Sequence, residues 1–94
     1  MARSVDLVVH NSSGLHARPA ATFVRAAAGF SSSITIQNVS RNGTVVDAKS
    51  ILGVLGLGVS PGHRIAVTAT GEDEDAAITA LTELVASGIG EAEA

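Results

Sequence analysis

The 94-residue chain has no cysteine, no tryptophan and no tyrosine, and its two phenylalanines are Phe23 and Phe30. Without cysteine there is no disulfide framework and no thiolate metal site, a composition that suits a reducing compartment. A formal net charge of -3 and the missing aromatics remove both the basic face and the stacking platforms on which nucleic-acid binding rests, so no nucleic acid is expected as a partner. No apolar run approaches the roughly 18 residues of a membrane-spanning helix. The opening MARSVDLVVH, with one arginine and a broken apolar stretch, does not read as a signal peptide. The expectation is a cytoplasmic protein with no insertion into the membrane. No two of the histidines His10, His16 and His63 have the i, i+4 spacing of a helical zinc site, so neither metal nor cofactor is expected.

The length fits one domain over residues 1–94, with a core over about residues 4–88 and a frayed tail at 89–94. Nothing in it implies more than a monomer. Charge is unevenly placed. All 6 Lys and Arg lie within the first 64 residues, where Asp6 and Asp47 are the acids, while Glu72 to Asp75, Glu83, Glu91 and Glu93 follow. An acidic chain thus has room for a locally positive region.

Val5 to Val9 is short and β-branched and predicts a strand. Asn11 to Gly14 is a turn cluster. From Pro19 the apolar spacing becomes helical through Ala20, Phe23, Val24 and Ala27, with Gly29 as a stop. Ile34 to Val39 alternates and then slips by one before Asn42-Gly43, a hairpin signal, with Thr44 to Val46 as the returning strand. The slip implies a bulge or a longer loop. Lys49 to Leu57 allows one or two helical turns with Ser50 near their start. Arg64 to Thr70 alternates as a strand, and Glu72 to Asp75 opens an amphipathic helix that Gly88 ends. The order β-α-β-β-α-β-α, with a hairpin, predicts a two-layer α+β domain.

The chemistry gathers at Gly14-Leu15-His16-Ala17-Arg18-Pro19. His16 stands between a glycine turn and a helix start. Pro19 fits the first helical turn, where its missing N–H costs little. The free N–H groups of Ala17 and Arg18 would make an anion site beside the imidazole. Arg18 can offer a bidentate fork to phosphate oxygens. A nearby cation and a helix N-terminus both disfavour imidazolium, and a neutral ring nitrogen is a nucleophile. One arrangement would activate an acceptor and then hold the phosphorylated product.

These residues, with Lys49-Ser50-Ile51-Leu52-Gly53-Val54-Leu55 and Leu57-Gly58 behind them, resemble the histidine-containing phosphocarrier (HPr) family of the bacterial phosphoenolpyruvate:sugar phosphotransferase system. The likeness runs over about residues 4–88. It implies an open-faced β-sandwich, in which a four-stranded antiparallel sheet is covered on one face by three helices. It implies that His16 accepts a phosphoryl group on Nδ1 from phosphorylated enzyme I, itself charged by phosphoenolpyruvate and Mg²⁺. Delivery to IIA domains of sugar permeases follows, with Ala17 and Arg18 holding the group. Such a chain is a carrier and not an enzyme.

For Ser50 the local reading is a helix cap. The resemblance adds regulatory phosphorylation by an HPr kinase/phosphorylase, with a transcription regulator as a further partner. The 51–55 stretch holds more apolar residues than a short helix can bury. Leu52 and Leu55 are therefore expected on a docking patch beside His16, with Lys49 and Ile51 as further docking residues. Spacing alone favours the core for Ile51 and Val54. The 36–46 hairpin is longer than the common family pattern. His10 reads as a solvated strand end that could approach the site, and His63 as an exposed turn residue. Alternative readings are a paralogue in a nitrogen-regulatory or dihydroxyacetone kinase phosphotransfer chain, or a non-catalytic adaptor switched through Ser50.

Overall fold

The computed structural model describes residues 2–89. Its elements are β1 (Ala2–Val8), α1 (Ala17–Ala28), β2 (Ser33–Asn38), a 3-10 turn (Val39–Arg41), β3 (Val46–Asp47), α2 (Ile51–Gly56), β4 (Arg64–Thr70) and α3 (Glu74–Ala86). The four strands form one antiparallel sheet in the order β1-β4-β2-β3. With three helices this is the open-faced sandwich that the family resemblance implies.

Alternation decides which face is covered. Along β4, Ile65, Val67 and Ala69 are buried, and Ile34 and Ile36 of β2 share their side of the sheet. The opposite face carries polar partners such as Ser4 and Thr68, whose hydroxyls lie 2.8 Å apart. Helix α1 meets the buried face with Ala20, Phe23 and Ala27, and α3 with Ala77, Ile78, Leu81 and Val85. Both stripes follow the helical period that the sequence displays.

Three segments depart from the sequence reading. After Asn38 the chain enters the 3-10 turn, reverses at Asn42 (φ +54) and closes with the Gly43 N–H donating to the Asn38 carbonyl at 3.0 Å. The longer-loop reading holds, but Thr44 and Val45 lie outside the strand, and β3 is only 2 residues long. At the C-terminus the Ile89 N–H donates to the Leu84 carbonyl and the Gly88 N–H to the Val85 carbonyl, a Schellman pair. Ile89, placed by sequence at the start of a frayed tail, is 1% exposed and belongs to the core. Residues 90–94 of that tail lie outside the described residues.

The third departure concerns the acidic cluster. Glu74 and Asp75 do occupy the first turn of α3. Asp73, at the cap position, turns its carboxylate across the fold to the loop between α1 and β2. It accepts from the Ser31 N–H at 2.8 Å, the Ser32 N–H at 2.9 Å and the Ser32 hydroxyl. The Ser32 hydroxyl, followed by the Ser31 N–H, holds this carboxyl down from 3.8 to about 2.

Candidate functional site

Between β1 and α1 the chain must reverse and present a helix start. Val9, just after β1, is fully buried, and the Asn11 side-chain amide donates to the Gly14 carbonyl at 2.9 Å. The Gly14 N–H donates to the Asn11 carbonyl at 3.1 Å, so the turn is closed twice. Gly14 itself has φ +61, and a Cβ there would stand 2.3 Å from the Val59 carbonyl oxygen. Only glycine fits that approach. The sequence places Gly14 in a turn, and the close approach of the segment after α2 is the reason glycine is needed there.

Leu15 is fully buried, and its N–H donates to the Val59 carbonyl at 3.0 Å. With Leu15 anchored inward, the next residue is carried to the surface. His16 is exposed and caps α1 with extended backbone (φ -126, ψ 156), its ring making no cap hydrogen bond. Ala17 follows at φ +51, in the left-handed region that alanine avoids at a cost on the order of 1 kcal/mol. The strain is held between the Leu15 anchor and the body of the helix. Pro19 is the third helical residue and is buried.

This places an exposed imidazole at the N-cap, with the exposed Arg18 two residues on. Helix geometry leaves the Ala17 and Arg18 N–H groups without acceptors inside the helix. Among the described residues, neither the His16 ring nor the Arg18 guanidinium has a hydrogen-bond or ion-pair partner. A nucleophilic ring, two backbone donors and a guanidinium at one helix terminus form a site suited to an incoming phosphoryl group.

Helix α2 packs against α1. Ser50 caps it, its Oγ accepting the Gly53 N–H at 3.1 Å, as the local reading expects. Val54 is fully buried, whereas Ile51 is 39% exposed, against the core placement that spacing favours. A helix of 6 residues offers room inward for Val54 alone, and Leu57 just beyond it completes the seal. Leu52 (79%) and Leu55 (37%) are exposed as expected. Lys49 is half-buried, and its Nζ donates to the Phe30 carbonyl at 2.7 Å. Val39 and Val45, not singled out by sequence, are also exposed and belong to the long β2–β3 connection.

The other two histidines separate. His10 donates through Nε2 to the Ala86 carbonyl at 3.1 Å, at the C-terminal end of α3. His63 is not simply exposed. It is half-buried, and its Nδ1 faces the Ser60 N–H at 3.1 Å and the Asn38 Nδ2 at 3.2 Å. No local sequence signal marks that pairing, since Asn38 and His63 meet only when β2 and β4 pair. Among the described residues no cluster of side chains could hold a metal ion, and no helix is long and apolar enough to cross a membrane.

Known proteins resemble this chain over nearly its whole length. The family described as "PTS HPr component phosphorylation site" matches residues 3–87. The phosphocarrier protein HPr of Cupriavidus necator is 41% identical over 88 residues, covering 94% of this chain and 96% of the relative. The multiphosphoryl transfer protein of Haemophilus influenzae is 46% identical over 83 residues, and the chain spans only 17% of its length. Among solved structures, HPr-C-His from Thermoanaerobacter tengcongensis superposes with a TM-score of 0.90 at 44% identity, covering 97% of this chain and 99% of that one.

Proposed function

Because this chain belongs to the HPr family of phosphotransferase-system phosphocarriers, we propose that it carries a phosphoryl group on His16 between phosphorylated enzyme I and the IIA domains of sugar permeases. The observation that carries the reading is the exposed, unpaired His16 ring at the N-cap of α1, with Arg18 two residues away.

The exposed ring supports the following step, and the family resemblance assigns it to Nδ1. The Nδ1 lone pair of neutral His16 attacks phosphorus, and the bond between phosphorus and the donor breaks, its electron pair leaving with the donor. The phosphoryl oxygens gather charge as the transfer proceeds. The Ala17 and Arg18 N–H groups and the Arg18 guanidinium lie at the terminus where those oxygens arrive. Delivery to the acceptor is the same step in reverse, with the acceptor's nucleophile attacking and His16 leaving neutral after proton exchange with solvent. Exposure of the ring serves both directions, because two different proteins must reach it.

Ile51, Leu52 and Leu55 supply an apolar docking surface on α2 beside α1, and Arg18 supplies charge for acidic partners. Ser50 sits at the start of that surface. A phosphate there would keep an acceptor for the Gly53 N–H and add negative charge to the docking face. On this reading an HPr kinase/phosphorylase that modifies Ser50 slows the His16 exchange.

Incubation with enzyme I and phosphoenolpyruvate tests the carrier reading. The expected product is a chain heavier by one phosphoryl group, acid-labile, and absent from His16→Ala. A chain that stays unmodified while a known HPr is phosphorylated alongside it refutes the reading.

A further inference from the structure

His63 lies outside both sequence motifs, yet its ring is engaged twice. Ser60-Pro61-Gly62-His63 forms a β-turn in which the His63 N–H donates to the Ser60 carbonyl at 3.0 Å. Pro61 in second place and Gly62 at φ +91 in third fit a type II turn. The ring returns the contact, its Nδ1 facing the Ser60 N–H at 3.1 Å. Asn38 Nδ2 reaches the same nitrogen at 3.2 Å and donates to the Leu57 carbonyl, also at 3.2 Å. Both neighbours of Nδ1 are N–H groups, which can only donate. The nitrogen therefore bears a lone pair, and the proton of the neutral ring resides on Nε2.

This turn is the support beneath the phosphoryl-acceptor turn. Val59, which precedes Ser60, accepts the Leu15 N–H at 3.0 Å. A Cβ on Gly14 would stand 2.3 Å from the Val59 oxygen and 3.0 Å from the Ser60 Cα. The far side is tied to the residue that follows β1, with the Val9 N–H donating to the His63 carbonyl at 2.9 Å and the Gly62 N–H to the Val9 carbonyl at 2.7 Å. The backbone leaves for His16 from Leu15, so the placement of Val59 and Ser60 sets where His16 begins. Val9 holds Gly62 and His63 from below, while the His63 ring holds the Ser60 amide.

We propose that His63 is a positioning residue for His16: by accepting the Ser60 N–H, its Nδ1 keeps the Val59–Ser60 segment against Gly14 and Leu15 and so fixes the place of the acceptor ring. Its effect on transfer rests on the carrier reading above. Its effect on the support does not.

Three variants are compared with the wild type. His63→Phe keeps a planar ring and removes the acceptor; His63→Ala removes it without bulk, and decides the matter should Phe disturb the fold. His63→Asn places a side-chain oxygen near the position of Nδ1. The readouts are amide hydrogen exchange at Leu15 and at Val67 in central β4, the NMR signals of the His16 ring, and the rate of transfer from phosphorylated enzyme I. Loss of the acceptor is expected to raise Leu15 exchange, relative to Val67, by about three- to tenfold, the worth of one ordinary hydrogen bond. The His16 signals shift and transfer slows by a similar factor, while His63→Asn restores all three. The proposal is overturned if Leu15 exchange and transfer match the wild type, if exchange rises equally at Val67 and Leu15, or if His63→Asn restores nothing. A wild-type chain that takes no phosphoryl group defeats the carrier reading instead, and Leu15 exchange with the His16 signals then judges the support alone.

Discussion

Gly14 and Val59 approach so closely that a methyl group at position 14 would lie 2.3 Å from the Val59 carbonyl oxygen. That contact joins the turn before His16 to the segment after α2. Gly14→Ala meets both the clash and the left-handed φ of +61. The expected loss of stability is at least about 2 kcal/mol, with phosphoryl transfer reduced further than unfolding explains. Urea denaturation gives the first quantity, and transfer rates scaled to the folded fraction give the second.

Arg18 is exposed and unpaired among the described residues, so removing it breaks no hydrogen bond or ion pair among them. Arg18→Ala is expected to leave the melting temperature unchanged and to slow phosphoryl transfer by about tenfold or more, the value of a charge-assisted hydrogen bond. Arg18→Lys, which keeps the charge but loses the fork, falls between. Stopped transfer assays across the three proteins check the order, and equal rates would remove the guanidinium from the site.

Leu52 is 79% exposed, and Leu52→Asp is expected to change unfolding free energy by no more than about 0.5 kcal/mol. The same substitution weakens association with enzyme I if α2 is the docking face. Calorimetric titration separates the two effects. Ser50→Ala, by contrast, removes the cap on the Gly53 N–H and is expected to cost about 1 kcal/mol, whereas Ser50→Asp retains the helix.

Asp73 carries a pH dependence. Its carboxyl is lowered from 3.8 to about 2, first by the Ser32 hydroxyl and then by the Ser31 N–H. A lowered pKa means that the unfolded chain binds the proton more readily. The stabilisation is therefore full above about pH 4 and fades as pH falls toward 2. Asp73→Asn is expected to flatten stability between pH 4 and 2 while lowering it at neutral pH. Urea midpoints measured across that range decide the point.

Much of this was legible beforehand. Ile65, Val67 and Ala69 alternate in the sequence as they do in the sheet, and Ala20, Phe23 and Ala27 recur at the spacing that faces the core. Ser50 reads as a cap and is one. The placement of His16 and Arg18 at the start of α1 was legible because a glycine turn, a proline and a helix start constrain one another within a few residues. Ile51 was not legible. Both Ile51 and Val54 have the apolar character of a core residue, and which one turns inward depends on how a 6-residue helix lies against α1 and β3.

What the chain's order of residues determined is therefore local: strand alternation, helical stripes, caps, and the motif that sets an imidazole and a guanidinium at one helix start. These rest on interactions between near neighbours, which periodicity records. Tertiary structure decided the rest. It seated Ile89 in the core, tied Lys49 to Phe30, sent the Asp73 carboxylate to Ser31 and Ser32, and brought the His63 ring to Ser60 and Asn38. Except for the short-range Ser60 contact, each joins segments far apart in the chain, and no local pattern encodes which distant segment will arrive beside it.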